Sequence, residues 1–381
     1  MVSLTPYMDI LCATAGFILV CLVLSDVFQS IIVPHYRPQG IRLSPLLISK
    51  ILWRPLRRLV LTLPKSKRVE ADLNMFAPAA MMTLLLIWLL LMTLGYSLIL
   101  WAERSAIQPP LQDLQASLYF AATSVLTIGY GDVIATSYLA RTTVICAALC
   151  GLVLLAITVS FLFAVQSHFH QREVTAQIIS SRHGHSANGA MLYKHLMTEH
   201  NATSSLELCE RWVTEIYQSH SAYPLLLYFR SRSARASWLV QLGIVLDAAS
   251  IAIALEEDRY SALISSIYEN GCRAVDVFST YLTISNRSRD ALQNPEVFEP
   301  LFAALTADPK RAAARFAVLR QRYFPALYSL ADFFLIELPP VSIIDSSKLS
   351  AEIPVSQLYA KVQATVPAAP GMTTSFDKPS I

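Results

Sequence analysis

The stretch that decides the fold is FAATSVLTIGYGD, residues 120–132. Its last part alternates glycine with larger residues, so that Gly129 and Gly131 lie two positions apart. Glycine adopts positive φ without the steric cost that a Cβ imposes, whereas other residues resist it. A backbone that changes hand at every second residue can direct successive carbonyl oxygens toward one axis. The sequence therefore predicts a loop whose main-chain oxygens face a common line.

Long apolar stretches surround this loop. Of the 381 residues, 54% are hydrophobic and only 15% are charged, and the mean hydropathy is +0.46. A soluble chain of this length carries more charge, so part of this chain is expected in lipid. A helix needs roughly 20 apolar residues to cross about 30 Å of hydrocarbon. Three stretches meet this requirement: 7–33, 75–101 and 140–167.

A fourth apolar segment, 111–127, is too short to cross and leads directly into the glycine loop. As a helix it would point its carboxyl end at the axis, where the negative end of the helix dipole favours a cation. Thr127 can add a hydroxyl oxygen at the inner end of the loop. Asp132 places a carboxylate at the outer end, where it concentrates cations. The arrangement predicts a cation site inside a membrane protein.

Residues 120–132 resemble the pore helix and signature sequence of the potassium channel superfamily, in particular bacterial channels with two pore-forming helices per subunit. The resemblance covers about residues 75–167. Gly151 lies twenty residues after Gly131, as the hinge glycine of the inner helix does in that family. Arg141, at the outer start of the third span, also matches a frequent pattern of the family.

The chain departs from this family at two positions of the pore helix. Many relatives carry a second threonine where Leu126 stands, and some carry an acid at the position of Thr123 that pairs with the filter aspartate. Inactivation at the filter is therefore not carried over from the family.

The chain is therefore expected to be an all-α membrane protein with three transmembrane helices and an all-helical cytoplasmic domain, and the resemblance adds a re-entrant pore helix and filter. Backbone carbonyls replace the hydration shell of potassium in such filters. One filter per chain supplies a quarter of each carbonyl ring, so the resemblance implies a homotetramer that needs no cofactor besides the permeant ion. The expected filter residues are Thr127, Ile128, Gly129, Tyr130 and Gly131, with Asp132 at the outer mouth.

The third span is expected to line the pore below the filter. Its candidate residues form a stripe toward the cytoplasmic end, and a ring of apolar side chains there can block ions by dewetting. Phe163, nearest the inner end, is the candidate hydrophobic gate. The stripe consists of Leu152, Leu155, Val159 and Phe163.

A basic segment, 35–72, separates the first two spans. Four of its cations fall at i, i+4, i+7 and i+8, on one face of a helix: Lys50, Arg54, Arg57 and Arg58. This pattern predicts an amphipathic helix in the headgroup plane with its cations toward anionic lipid. A voltage sensor is the alternative. It is disfavoured because sensors need several partner helices before the pore and because central arginines cost about 2.5–3.5 kcal/mol each to insert.

The same cations predict the topology, because basic loops stay on the cytoplasmic side. The first span is then an uncleaved helix with an outside N-terminus, the region 103–139 is outside, and everything after Ser167 is inside the cell, in a bacterial inner membrane. Asp26 lies near the end of the first span, where an acid is more often interfacial or paired than functional.

The remainder of the chain is expected to be cytoplasmic. Residues 169–190 are polar, with four histidines in and beside them, and are interpreted as a solvated linker rather than a metal site or a pH sensor. Helical periodicity covers 191–338, and the stretch 238–255 is interpreted as a buried helix rather than a fourth span. Asp247 inside it is expected to be capped or paired with an arginine. The predicted divisions are 1–34, 35–72, 73–168, 169–190, 191–338 and a disordered tail, 339–381; the four histidines are His168, His170, His183 and His185.

Several functional classes find no support in the sequence. It has no G-x-S-x-G, HExxH or Walker A motif of an enzyme, no nucleotide-binding G-x-G-x-x-G, and no nucleic-acid signature. Two alternatives remain: a potassium transporter subunit, which would need four filter-like loops in one chain, and a ligand-sensing or scaffold protein with a non-conducting pore. The sequence does not identify the stimulus that would open such a channel. Membrane lipid, a ligand of the helical tail and pH are three alternatives.

Overall fold

The computed structural model describes residues 5–32, 43–62, 67–182, 188–198, 202–231, 237–284, 295–303 and 305–339. It confirms an all-α membrane fold, since three of its helices are long and apolar enough to cross a membrane. These helices are α1, Thr5–Val27, which a π-helical turn extends to Ile32; α4, Lys67–Ala102; and α6, Tyr138–Arg182.

Shorter helices complete the described chain. Those between the spans are α2, Leu43–Pro45, a π-helical segment, Leu46–Trp53, α3, Arg54–Thr62, and α5, Leu114–Val125. Those after α6 are α7, Gly189–Thr198, α8, Ala202–Ala222, α9, Trp238–Ala254, α10, Ser261–Tyr281, α11, Glu299–Phe302, and α12, Pro309–Phe334. Two short strands, β1, Ile107–Gln108, and β2, Ile134–Ala135, pair antiparallel.

Helix α1 packs tightly along α4. A Cβ on Gly16 would lie 2.4 Å from the carbonyl oxygen of Gly95, so the two backbones approach too closely for any larger residue. Toward the other end of α1, Asp26 is buried and accepts hydrogen bonds from Trp88 Nε1 at 2.8 Å and from the backbone N–H of Leu43 at 2.9 Å. The paired state expected for this acid is observed, because a buried carboxylate requires donors.

Helix α6 extends well beyond the membrane. It runs unbroken to Arg182, so the segment from 169 to 182 is helical and not the linker that its polar composition predicted. The reason lies in tertiary packing, which buries Arg172, Ala176 and Ile179 on one face of this extension. His168 packs against the ring of Tyr223 at 5.3 Å, while His183 and His185 lie outside the described residues.

The basic segment also differs from its prediction. Lys50, Arg54 and Arg58 are exposed, but Arg57 turns away from them and pairs with Asp332 at 3.0 Å. Trp53, four residues before Arg57, is fully buried. One face of this helix therefore packs against the C-terminal domain, which the sequence pattern alone could not reveal.

The C-terminal domain is built around α9, which is buried along nearly its whole length and is not a fourth span, as expected. Asp247 in this helix accepts hydrogen bonds from Arg320 Nε at 3.0 Å and from the Tyr323 hydroxyl. The expected arginine pairing is therefore present. The tail predicted to be disordered lies outside the described residues from position 340 onward.

Candidate functional site

Helix α5 is held between α4 and α6 by its buried face. It begins at a cap, where the Asp113 carboxylate accepts a hydrogen bond from the backbone N–H of Ala116 at 2.7 Å. Such a cap satisfies one of the free N–H groups at a helix start. In the middle of the helix, the Ser117 hydroxyl donates to the backbone carbonyl of Ser97 on α4 at 2.6 Å. These contacts fix the axis of α5, and hence the direction in which its carboxyl end points.

After α5, the backbone alternates between left-handed conformations, with positive φ, and conformations with negative φ. Thr127, Gly129 and Gly131 have φ of 55°, 57° and 81°, and no other residue between 125 and 133 has positive φ. The turn into the loop is closed by the carbonyl of Thr123, which accepts from the N–H groups of Ile128 at 2.8 Å and of Gly129 at 3.3 Å. This is the geometry that directs successive carbonyl oxygens to one side of a strand-like segment.

The loop is open to its surroundings in a single subunit. Among the described residues, and apart from each glycine and its chain neighbours, no atom lies within 4 Å of where a Cβ would stand on Gly129 or Gly131, and the side chain of Tyr130 is 71% exposed. Ile128 and Tyr130 are the large side chains of the loop that could brace it against surrounding helices. Within the described residues, the exposed ring of Tyr130 has no such support.

The outer end of the loop is anchored on both sides. The Tyr119 hydroxyl on α5 donates to Asp132 Oδ2 at 2.9 Å. A few residues later, β2 pairs with β1, and the N–H of Thr136 donates to the carbonyl of Ala106 at 2.9 Å. The chain therefore enters and leaves the glycine loop at fixed points.

Gly151 of α6 lies against the carboxyl end of α5. A Cβ on this residue would stand 1.8 Å from the carbonyl oxygen of Val125, which is far inside van der Waals contact. Glycine is therefore required at position 151 by close packing of the two helices. A role as a hinge remains a separate prediction.

The apolar stripe of α6 is unpartnered in a single subunit. Its members are spaced three, four and four residues apart, which places them on one side of the helix. Phe163 is 69% exposed, although it is one of the largest side chains on this helix. All four members are exposed: Leu152, Leu155, Val159 and Phe163.

Sequence reasoning missed the contact between α6 and the C-terminal domain. Arg172 is fully buried and donates to the carbonyls of Leu226 at 3.1 Å and Phe229 at 2.9 Å. It also faces His220 Nε2 at 3.1 Å and pairs with Glu173 at 2.9 Å. The signal was a charged residue inside a helical extension of the last span, but without long-range contacts it resembled any solvated arginine.

The described residues offer no alternative ion or metal site of side-chain ligands. Within this part of the chain, no group of three or more His, Cys, Asp or Glu side chains is placed to hold a metal ion.

The family comparison covers the same part of the molecule. Residues 83–167 match a family model described as "Ion channel". This segment is an ion channel domain. The match spans the second half of α4, α5, the glycine loop and the membrane part of α6, and it supports the assignment to the potassium channel superfamily. Comparisons with curated proteins and with solved structures give no match.

Proposed function

We propose that the chain is one subunit of a potassium-selective channel that conducts passively through a homotetrameric pore. The observation that carries this proposal is the alternation of positive φ at Thr127, Gly129 and Gly131 in a loop between two membrane helices. Irregular backbone at membrane depth is tolerated only where protein buries it or where it lines a water-filled path. A ring of its carbonyls provides oxygen ligands for a dehydrated monovalent cation.

Fourfold assembly accounts for the surfaces that one subunit leaves open. Tyr130 and the stripe ending at Phe163 are apolar, exposed and turned away from the subunit's own core. Four copies around an axis would give Tyr130 a neighbouring helix to pack on and would bring the four stripes together below the filter. In this assembly Asp132 forms an acidic ring at the outer mouth, which attracts cations.

The lower part of the pore carries the proposed gate. Four copies of Phe163 narrow the path near the inner end of the membrane, where an apolar constriction blocks ions by dewetting. Gly151, at the level of the carboxyl end of α5, is the proposed pivot of α6. The proposed orientation places the glycine loop outside and the C-terminal domain in the cytoplasm, following the basic residues between α1 and α4.

A non-conducting scaffold is the second candidate. The size of the C-terminal domain favours it, because α7–α12 add a large helical core that is continuous with the core of the membrane helices. It is the weaker candidate because a scaffold has no need for the alternating backbone of the loop. A transporter subunit is weaker still, because the chain carries one intact filter sequence and three spans.

Ion flux into liposomes containing the purified full-length chain tests the proposal. We expect potassium flux well above sodium flux, with block by barium. Gly131→Ala should abolish the potassium flux because Gly131 has φ of 81°. Gly243→Ala in α9 makes the same chemical change at a glycine without positive φ and should retain flux. Equal sodium and potassium flux contradicts selectivity, and no flux in any variant favours the scaffold.

A further inference from the structure

The segment of residues 46–62, here called the basic helix, presents three cations to its surroundings. Lys50, Arg54 and Arg58 are exposed and follow one another at four-residue intervals. Leu59 and Leu61 are exposed beside them, each at 59%. The helix ends five residues before α4 begins, so it lies close to the end of a membrane span in the chain. Exposed cations with neighbouring leucines are typical of a helix that meets anionic headgroups.

A neighbouring side of the basic helix contacts the C-terminal domain. Arg57 Nη2 contacts Asp332 of α12 twice, donating to its carboxylate at 3.0 Å and to its backbone carbonyl at 3.1 Å. Trp53 is buried in an aromatic cluster, with ring centroids 4.9 Å from Phe76 and 5.9 Å from Phe334. The basic helix therefore moves with the end of α12.

The same cluster reaches the segment of residues 224–229, here called the coupling segment. Its Tyr228 ring lies 5.8 Å from the ring of Trp53 in the basic helix. Just after it, Arg230 donates to the carbonyl of Phe334 at the end of α12 at 3.2 Å. Two independent contacts thus connect the coupling segment to the basic helix and to α12, which itself contacts the basic helix.

The coupling segment is also fastened to α6, the helix that carries the proposed gate. Arg172 holds the carbonyls of Leu226 and Phe229, and the Phe169 ring lies 5.3 Å from that of Phe229. Arg172 is nine residues beyond Phe163, which is about 14 Å along a helix. Because the guanidinium of Arg172 is buried and bonded to main-chain oxygens, a shift of the coupling segment must displace α6 or break these bonds.

We propose that anionic phospholipid headgroups bind Lys50, Arg54 and Arg58 and regulate the pore through the coupling segment and Arg172. This inference rests on the proposed channel function and assigns its regulation. Each cation near an anionic membrane surface adds to the electrostatic attraction between the helix and the headgroups. The lipid favours the position of the basic helix in which these cations meet the membrane, and the contacts through Trp53, Tyr228 and Arg172 transmit that position to the inner end of α6. Coupling of this kind is reciprocal, so the state of the pore changes lipid affinity as well.

The test compares vesicles of phosphatidylcholine alone with vesicles that also contain phosphatidylglycerol. For the wild-type chain we expect initial potassium flux to differ roughly tenfold between the two, equivalent to about 1.4 kcal/mol of coupling. Replacing Lys50, Arg54 and Arg58 together by glutamine should reduce this ratio toward one. The matched control replaces three exposed cations of the C-terminal domain by glutamine and should keep the ratio: Lys194, Arg211 and Lys310. Inorganic phosphate added to neutral vesicles should not reproduce the lipid effect.

A second arm separates lipid binding from its transmission. Asp332→Asn leaves all three exposed cations in place but removes the ion pair with Arg57. Native mass spectrometry of the detergent-purified protein should show phosphatidylglycerol retained by wild type and by Asp332→Asn, and lost from the triple glutamine variant. The flux ratio of Asp332→Asn should nevertheless fall toward one. Trp53→Leu weakens the contact with Tyr228. This variant should also retain phosphatidylglycerol while its flux ratio falls toward one.

The outcomes distinguish failure of the proposed lipid regulation from failure of the proposed channel function. Equal wild-type flux in both kinds of vesicle overturns lipid regulation and leaves the channel function intact. A triple glutamine variant that responds to lipid like its control also overturns the proposed surface. If Asp332→Asn keeps the full response, transmission through α12 is wrong. Absence of wild-type flux in every lipid mixture contradicts the channel function itself, and the proposed regulation fails with it.

Discussion

Thr127, Gly129 and Gly131 show how single backbone angles define the candidate site. Positive φ is ordinary for glycine but uncommon for a β-branched residue such as threonine, and it costs about 1–2 kcal/mol without compensation. Here the N–H of Thr127 donates to the carbonyl of Ser124 at 3.0 Å, which helps to hold the strained turn. Strain that the surrounding structure maintains is often found at functional sites.

A second single residue, Gly151, gives a prediction about how closely α5 and α6 pack. Gly151→Ala places a methyl group, at its ideal position, 1.8 Å from the Val125 carbonyl oxygen, so α5 and α6 must separate. Overpacking of this kind costs about 1–3 kcal/mol. We expect the thermal unfolding midpoint of the detergent-solubilised protein to fall by several degrees.

Leu152→Ala is the matched control for this substitution. It changes the next residue of α6, which is exposed, and should leave the midpoint nearly unchanged if the cost at Gly151 arises from the contact with α5. An unchanged midpoint for Gly151→Ala would contradict the close approach of the two helices.

At the scale of helices and loops, the sequence predicted those features that depend on residues close together in the chain. The three spans, the short pore helix and the buried α9 follow from apolar run length, and the two loop glycines follow from backbone sterics. The extension of α6 to Arg182 was not predictable, because it depends on packing of Arg172 against residues more than fifty positions away. The inward turn of Arg57 was missed for the same reason, since its partner Asp332 is 275 residues distant.

The packing of α8 against α6 also predicts a pH dependence. His220 is buried beside Arg172, and both burial and the positive guanidinium hold the pKa of its imidazole well below 6.5. Its Nδ1 faces the carbonyl of Ile216 at 3.0 Å while Arg172 donates to Nε2, so the contacts assign a neutral ring with the proton on Nδ1. His168 and Glu173 are the other titratable groups on the facing part of α6.

The direction of this pH dependence follows from the number of protons that the folded and the unfolded chain bind. The unfolded chain protonates His220 below about pH 6.5, whereas the folded chain does not, so the free energy of unfolding falls as the pH drops below that value. This contribution is fully present above the unfolded pKa and is lost in acid by up to about 1.4 kcal/mol per pH unit. Unfolding midpoints measured between about pH 7 and pH 5 should decrease for wild type and change less for His220→Gln. Identical pH profiles for the two proteins would contradict the buried neutral histidine.

At the scale of the whole molecule, the described chain leaves apolar surfaces of its membrane part exposed. The glycine loop, Tyr130 and the stripe of α6 are exposed, although they belong to the part of the chain that matches the ion channel family. The sequence implied four copies only through its resemblance to that family, since residue patterns within one chain do not encode a symmetry axis. Exposed apolar area adjacent to an irregular membrane loop gives a physical reason for assembly, because lipid cannot satisfy the main-chain groups of the loop.

The reversal potential of single channels in a planar bilayer, with potassium on one side and sodium on the other, tests the central claim most directly. Carbonyl rings built from residues 127–131 should pass potassium and exclude sodium, so current should reverse far from zero, on the side set by the potassium gradient. A reversal potential at zero would mean that both ions pass equally, and it would contradict the assignment of the loop as a potassium filter.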